Sequence, residues 1–129
     1  MSTATPKHFD ADVRNRLGQA DEIQIETRKP GANAPTHRTT IWVVVDGDNV
    51  HVRSVRGNAG RWYQEITANP SGAVHVNGKR IPVRAIPIKD DATIKRASEA
   101  YRKKYSTSSS LPSMVRDEIL QTTLRLEPQ

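Results

Sequence analysis

The sequence predicts an α+β domain: a small antiparallel barrel or strongly curved sheet of about six short strands, with helices packed outside. Short runs that alternate apolar and polar residues, as half-buried strands do, recur along the chain. Two pairs of runs flank turn sequences, D-G-D-N at 46–49 and N-G at 77–78, which indicates two hairpins. Other segments space their apolar residues as a helix does. We expect one domain over all 129 residues, because no repeat or boundary divides them.

The N-terminal third predicts a helix followed by a strand. Residues 1–7 are expected to form a flexible tail. A short helix is predicted over 8–17, with Asp10 as its cap and Gly18 as its stop. The run EIQIETR (22–28) alternates isoleucine with polar residues and predicts the first strand.

The first predicted hairpin joins the runs TTIWVVV (39–45) and VHVRSV (50–55). A side-chain period of two places Val50 and Val52 on one face of the second run, and His51 and Arg53 on the other. Counted outward from the four-residue turn, Thr39 and Thr40 should lie across from Val55 and Arg56. The segment RWYQEITANP then predicts a short helix that ends before Pro70.

The second hairpin joins AVHV (73–76) and KRIPVRAIPI (79–88), and its N-G turn is typical of type I′. Pro82 and Pro87 predict that the later strand lies at a sheet edge or is interrupted, because proline cannot donate to the ladder. The run DDATIKRASEAYRKKY (90–105) predicts an amphipathic helix, acidic in its first turn and basic in its last. After the STSSS linker, LPSMVRDEI predicts a helical turn and TTLRLEP a closing strand.

The charge balance favours polyanionic partners. The chain has 20 Lys plus Arg against 14 Asp plus Glu, a net charge of +6. It has no cysteine, which excludes disulfides, thiolate nucleophiles and cysteine-based metal sites. No apolar segment approaches the roughly 18–20 residues of a membrane span, and the N-terminus lacks the apolar block of a signal peptide. We therefore expect a cytoplasmic protein with no membrane partner.

The sequence gives little indication of a metal site, an acid/base pair or a nucleic-acid interface. The four histidines share no metal-ligand spacing, so no metal site is expected. The aspartates at 46, 48, 90 and 91 occupy turn and cap positions, and no acid/base pair emerges. Aromatic residues make up only 5% of the chain, which argues against stacking on nucleic acid.

Residues suited to oxyanion binding converge at one end of the first hairpin. The segment from Ser54 to Gly60 (SVRGNAG) combines a hydroxyl, a guanidinium and flexible backbone N–H groups. Arg38, Thr39 and Thr40 supply the same chemistry on the partner strand. This pattern predicts a phosphate site, and the alternative is a set of solvated arginines at a barrel rim.

The stretch RTTIWVVVDGDNVHVRSVRGNAGRWYQEITANP (38–70) resembles the split-barrel flavin and deazaflavin oxidoreductases, especially the deazaflavin-dependent nitroreductases. Those proteins carry a G-R-x-x-G loop, an R-T strand, a D-G-D turn, an S-x-G-G loop, a W-Y helix and an A-N-P stop. The resemblance covers roughly 22–128 and indicates a short, uncharacterised bacterial branch. The corresponding residues here are Arg28 and Gly31, Arg38-Thr39, Asp46-Gly47-Asp48, Ser54 to Gly57, Trp62-Tyr63 and Ala68-Asn69-Pro70.

Three departures from that pattern bear on the cofactor. The first loop, KPGANAPTHR, is longer and lacks the S-G-K of the family. Arg56 replaces the first glycine of S-x-G-G, and Gln64-Glu65 stands where histidine and asparagine are common. These changes leave the split-barrel expectation intact and leave the identity and presence of the cofactor open.

The resemblance implies an oxidoreductase that binds coenzyme F-420, a deazaflavin, or FMN at a homodimer interface. It would transfer a hydride to a small electrophilic acceptor. His51 and Tyr63 are the candidates for proton donation. Trp42 or Trp62, together with the loop 29–37, are the candidates for the interface. The residues expected to bind the cofactor are Arg38, Thr39, Thr40, Ser54, Arg56, Gly57, Trp62 and Lys79.

A second hypothesis is a cofactor-free split barrel that acts as a dimeric binding or interaction module. The guanidinium of Arg56 would then occupy the place of the phosphate. An Arg56 paired to an internal carboxylate such as Asp46, with no open groove, would favour this interpretation.

Overall fold

The computed structural model describes residues 7–129, so the expected tail falls, apart from Lys7, outside the described residues. These residues form seven strands, four α-helices and two 3₁₀ helices. In chain order they are α1 (Ala11–Gln19), β1 (Ile23–Thr27), β2 (His37–Ile41), β3 (Val44–Asp46), β4 (Asn49–Val52), the 3₁₀ helix Gly57–Ala59, α2 (Arg61–Ala68), β5 (Ser71–Val76), β6 (Lys79–Pro87), α3 (Asp91–Lys104), α4 (Leu111–Val115), the 3₁₀ helix Asp117–Thr122 and β7 (Leu124–Pro128).

The strand order requires the sheet to curl. All pairs are antiparallel, in the order β2-β1-β5-β6-β7-β4-β3, so β2 and β3 lie at opposite edges. In a flat sheet these edges would be roughly 29 Å apart, since strands are spaced by about 4.8 Å. Only Trp42 and Val43 join them, and three Cα steps span at most about 11 Å. The sheet therefore curls until its two edge strands approach each other without pairing, which is the predicted α+β split barrel.

The predicted strand 39–45 is two strands, which is why the sheet has seven strands and not six. β3 pairs with β4, with Val45 opposite Val50, as the turn predicted. β2 instead pairs with β1, and Thr39 lies opposite Ile25. The expectation that Thr39 and Thr40 pair across from Val55 and Arg56 is therefore wrong.

The break between β2 and β3 is explained by side chains at the end of α3, because they hydrogen-bond to the backbone N–H and C=O groups of Val43. The hydroxyl of Tyr105 accepts from Val43 N (3.3 Å) and donates to the carbonyl of Asp21 (2.8 Å). The Lys104 ammonium donates to the carbonyls of Val43 (2.7 Å) and Leu17 (3.1 Å). With both polar groups of Val43 satisfied by side chains, the β2 ladder does not continue into β3.

The second hairpin forms as predicted, but its later strand is neither at a sheet edge nor interrupted. Asn77 and Gly78 have φ values of 52° and 76°, as a type I′ turn requires. β6 lies between β5 and β7, so the edge position predicted from Pro82 and Pro87 is wrong. Pro82 is tolerated because its position on the β7 side faces Gln129, beyond the end of that strand. Pro87 is the last residue of β6.

The two faces of β4 pack into two different cores. Val50 and Val52 lie in the barrel interior. The opposite face carries His51, which is buried, and Arg53 is buried directly beyond the end of the strand, against a second core of Val44, Tyr101, Tyr105, Met114 and Ile119 beneath α3 and α4. The predicted alternation is thus confirmed for Val50, His51 and Val52.

The predicted helices are found, with small shifts at their ends. Asp10 caps α1 by accepting from Val13 N (2.9 Å), and the helix runs one residue past Gly18. Asp90 caps α3 in the same way, from Thr93 N (2.9 Å). Among residues 7–129, no helix is both long and apolar enough to cross a bilayer.

Candidate ligand-binding cleft

A cleft of about 680 Å³ lies where the chain segments after β2 and β4 part. β2 pairs with β1 and not with β4, and β4 ends at Val52. The residues that line the cleft are Glu22, Thr39 to Trp42, Arg53 to Arg56, Gly60 to Trp62, Ser110, Ser113 and Met114.

The rim of the cleft is cationic. Arg56 and Arg61 are exposed, and Glu22 is the one carboxylate among the lining residues. Helix α2 begins at this rim, at Gly60, with no side-chain cap and no acidic residue in its first turn. A helix N-terminus with unsatisfied N–H groups attracts anions, and the neighbouring guanidinium groups add to that field.

Two glycines and one serine fix the loop before α2. The Ser54 hydroxyl donates to the carbonyl of Gly57 (2.8 Å), and Gly57 N donates back to the carbonyl of Ser54 (2.9 Å). Gly57 has a φ of +63°, a conformation that residues with a Cβ rarely adopt. A Cβ on Gly60 would overlap the Ser54 hydroxyl oxygen. The Ser54 hydroxyl thus packs directly against Gly60 at the point where α2 begins.

Arg53 forms a buried cationic floor. Its side chain is 1% exposed and donates to the Thr123 hydroxyl (2.8 Å) and to the carbonyls of Met114 (3.1 Å) and Ile94 (2.8 Å). Its guanidinium also lies 5.2 Å from the centre of the Tyr101 ring. Burial lowers the pKa of Arg53, yet a guanidinium keeps its proton in proteins. No carboxylate of residues 7–129 pairs with it. Its positive charge is stabilised instead by the hydroxyl and carbonyl acceptors and by the Tyr101 ring.

One wall of the cleft is aromatic. Trp42 is half-buried and stacks on Tyr105, with ring centroids 3.8 Å apart and planes at 7°. The other lining tryptophan, Trp62, is 5% exposed and packs in the barrel core with its ring edge-on to Tyr63. Trp62 therefore has little surface left to contribute to a subunit interface.

The cleft brings together five of the residues predicted to bind a cofactor and separates three others. Gly57 lies behind it, held by Ser54. Arg38 is exposed on β2 opposite Glu26, and Lys79 is exposed at the start of β6, away from the cleft. The five that line it are Thr39, Thr40, Ser54, Arg56 and Trp62.

Neither candidate proton donor lines the cleft. His51 is fully buried, burial lowers its pKa, and neither ring nitrogen has a partner among the described residues. Burial therefore disfavours the charged form of its imidazole. Tyr63 is half-buried on α2, and burial raises the pKa of its phenol.

Sequence reasoning missed several lining residues. Arg61 directly precedes the W-Y pair and is the first residue of α2. That position is the signal in the sequence that could have identified it as a lining residue. The period of two predicts the strand face of Arg53 but not the groups that its guanidinium contacts. Ser110, Ser113 and Met114 come from a segment treated as linker and helical turn, and no local pattern relates them to β2.

A second polar cluster fastens α2 to the sheet beside the cleft. The Glu65 carboxylate, 2% exposed, accepts from the Thr27 hydroxyl (2.8 Å) and contacts His37 Nδ1 (2.9 Å). Burial acts to raise the pKa of Glu65, but the hydrogen bonds from His37 and Thr27 outweigh it, so the pKa lies below its ordinary value. Three acidic or histidine ligands that could hold a metal do not converge anywhere in residues 7–129.

The sequence itself places the chain in a family. Residues 14–126 match the family described as "Uncharacterized protein conserved in bacteria (DUF2255)". The chain belongs to this family. No curated protein matches its sequence.

Solved structures that share the fold are split-barrel proteins of low sequence identity. ChuZ from Campylobacter jejuni superposes with a TM-score of 0.70 at 10% identity over 92% of this chain, which spans about half (52%) of ChuZ. HutZ, the heme storage protein from Vibrio cholerae, gives a TM-score of 0.61 at 10% identity over 95% of this chain and 91% of its own. An F420-H2 dependent reductase gives 0.61 at 13% identity over 83% of this chain and 94% of its own. At these identities the likeness establishes the split-barrel fold.

Proposed function

We propose that this protein binds a flavin-type cofactor, coenzyme F-420 or FMN, in the cleft between β2 and α2. We further propose that it serves as an oxidoreductase that passes a hydride to a small electrophilic acceptor. The observation that carries the proposal is the composition of the cleft. Three guanidinium groups, an uncapped helix N-terminus and an aromatic wall surround one space, with a single carboxylate among the lining residues.

The residues present fit such a group. A cleft of about 680 Å³ lies within the roughly 300–1,000 Å³ of small-molecule sites. Arg56, Arg61 and the first turn of α2 suit a phosphate or another anionic tail. Trp42, Ile41 and Met114 supply the apolar surface that a ring system requires.

The cofactor supplies the hydride chemistry when bound, and the protein contributes binding, orientation and electrostatics. The rim arginines and the α2 N-terminus hold the anionic tail, which fixes the position of the rest of the molecule. The buried charge of Arg53 adds a positive potential that favours negative charge inside the cleft. The apolar wall excludes water from the ring.

The cofactor-free module is less well supported by the side-chain contacts. Asp46, the carboxylate considered as a partner for Arg56, pairs with Arg96 at 3.2 Å. Arg56 is exposed, lines an open cleft and forms no ion pair among residues 7–129. A guanidinium in that position is available to an external anion.

We also propose that two chains assemble into a homodimer. Strands β2 and β3 are the edges of the sheet, and unpaired edges need cover. The segment 29–36 beside β2 is almost wholly exposed, so it is our candidate for the contact. A two-fold axis near β2 would place two equivalent clefts beside the interface.

The decisive experiment is a fluorescence titration of the purified protein with FMN and with F-420. Wild type should bind one of them saturably, with the protein at about twice the 14.4 kDa chain mass in light scattering. Arg56→Ala should weaken binding by about 1.5–3 kcal/mol, or roughly ten- to a hundred-and-fifty-fold. Arg102→Ala, which removes an exposed charge on α3 outside the cleft, should change it little.

Two results would count against the proposal. Equal small effects of the two arginine variants would mean that general charge, and no formed site, attracts the ligand. Failure of both cofactors to bind, together with saturable binding of haemin, would assign the cleft to a different prosthetic group.

A further inference from the structure

Trp42 has one ring face occupied and a position on the cleft wall. Its indole lies almost parallel to the Tyr105 ring, at 7° and 3.8 Å between centroids. It is only half-buried, and it lines the cleft. Since Tyr105 covers one face, a ligand in the cleft can meet the indole only at its edges or at the face opposite Tyr105.

The support behind Trp42 is rigid. Tyr105 is 8% exposed, and its hydroxyl accepts from Val43 N and donates to Asp21 O. Its ring is also 6.1 Å from that of Tyr101, which is fully buried. A side chain fixed at both its hydroxyl and its ring holds the stacked indole in one orientation without a ligand.

A fixed aromatic face differs in function from the cationic rim. Stacking on an indole recognises the π-face of a ring and does not depend on an anionic tail. The rim recognises an anion and does not depend on the ring. The two kinds of contact can therefore be tested separately within one cleft.

We propose that the face of Trp42 opposite Tyr105 is the platform on which the planar ring of the ligand stacks, as a second subsite separate from the anion subsite at Arg56 and Arg61. The proposal rests on the proposed function in one respect, that the ligand is a ring system with an anionic tail. In this proposal Trp42 contacts the ring of the ligand. The Trp42–Tyr105 pair selects ligands that are planar.

The experiment compares riboflavin, which has the ring without a phosphate, with FMN. Trp42→Leu should weaken both ligands by the same factor, roughly five- to a hundred-fold, the range for loss of one stacking contact. It should also restore flavin fluorescence that is quenched in the wild-type complex. Trp42→Phe, which keeps a ring, should retain most of the affinity. Arg56→Ala should weaken FMN and leave riboflavin unchanged.

A second measurement locates the contact directly. The chain has two tryptophans, so a Trp62→Phe variant has Trp42 as its only one. Riboflavin should quench its emission saturably, with the same dissociation constant as the flavin signal. Thermal unfolding of each variant checks that the fold is intact, and Trp42→Phe provides the test if Trp42→Leu does not fold.

The outcomes separate the two subsites. Flavin binding that leaves Trp42 emission unquenched, or is equally tight in Trp42→Leu, would overturn the platform while the proposed function stands. Riboflavin that stacks on Trp42 while FMN binds no more tightly would keep the platform and overturn the phosphate anchor. If riboflavin, FMN and the F-420 ring without its tail all fail to bind, both the platform and the proposed function are overturned.

Discussion

The two hairpins of this protein begin with similar turn chemistry and end differently. In the β5–β6 hairpin, six consecutive residue pairs follow the Asn77-Gly78 turn, from Val76 with Lys79 to Ser71 with Arg84. In the β3–β4 hairpin, pairing stops after three pairs, at Val44 with His51. The β5–β6 turn has two residues with positive φ, Asn77 and Gly78, and the β3–β4 turn has one, Gly47.

The difference lies in what meets the strands beyond the turn. Side chains from the end of α3 take the backbone groups of Val43, and Arg53 is drawn into contacts with α3, α4 and Thr123. In the part of the chain that the structure describes, no side chain hydrogen-bonds to the backbone of β5 or β6. The gap left by the shortened hairpin is the cleft, so the candidate site exists because distant residues interrupt a local pattern.

The strongest test of this comparison removes the contacts of Arg53. Arg53→Met should lower the free energy of unfolding by about 3–5 kcal/mol, because it leaves a buried hydroxyl and two buried carbonyl acceptors without their charged donor. Urea denaturation measures the change. Arg56→Met, three residues away and exposed, should change the stability by no more than about 0.5 kcal/mol. Similar values for both variants would mean that Arg53 does not hold this region.

A smaller effect is expected where α2 is fastened to β1 and β2, the other side of the gap. Because the folded-state pKa of Glu65 lies below its ordinary value, the ionised carboxylate adds stability above the unfolded-state pKa, about 4.3. That contribution is lost as pH falls through the folded-state pKa. Glu65→Gln should therefore cost roughly 1–3 kcal/mol at pH 7, and less as the pH falls below 4.

Unfolding curves at pH 7 and at acidic pH, for wild type and Glu65→Gln, check this prediction. Glu99→Gln, an exposed change on α3, is the matched control and should show no such pH dependence. A Glu65→Gln penalty that stays constant down to pH 3 would show that the charge of the carboxylate does not stabilise the fold.

The smallest effect should come from the hairpin that forms locally. Gly78→Ala places a Cβ at a φ of +76° and should cost about 1–2 kcal/mol. Nothing lies within 4 Å of the added atom, so the cost is one of backbone conformation alone. Asn77→Gly, at a φ of 52°, should be neutral within about 0.5 kcal/mol. A larger loss for Asn77→Gly than for Gly78→Ala would contradict the type I′ assignment.

The amino-acid sequence alone determined the elements whose signals are local. The Asn77-Gly78 turn, the caps of α1 and α3, and the faces of β4 follow from residue types within a few positions of one another. The resemblance of 38–70 to split-barrel oxidoreductases also predicted the curled antiparallel sheet. Local chemistry is sufficient here because each of these features satisfies backbone groups or side-chain periodicity without a distant partner.

Only the tertiary structure decided where the strands end and what the cleft contains. Tyr105 lies 62 residues from Val43, and Arg53 lies 61 residues from Met114. Pro82 was predicted at an edge and lies in an inner strand, because its missing donor faces the end of β7. Contacts over such separations leave no periodicity in the sequence, and a buried arginine with only neutral partners has no carboxylate whose spacing could reveal it. The fold brings these residues together because burying the cores beneath α3 and inside the barrel outweighs the pairing that the hairpin alone would prefer.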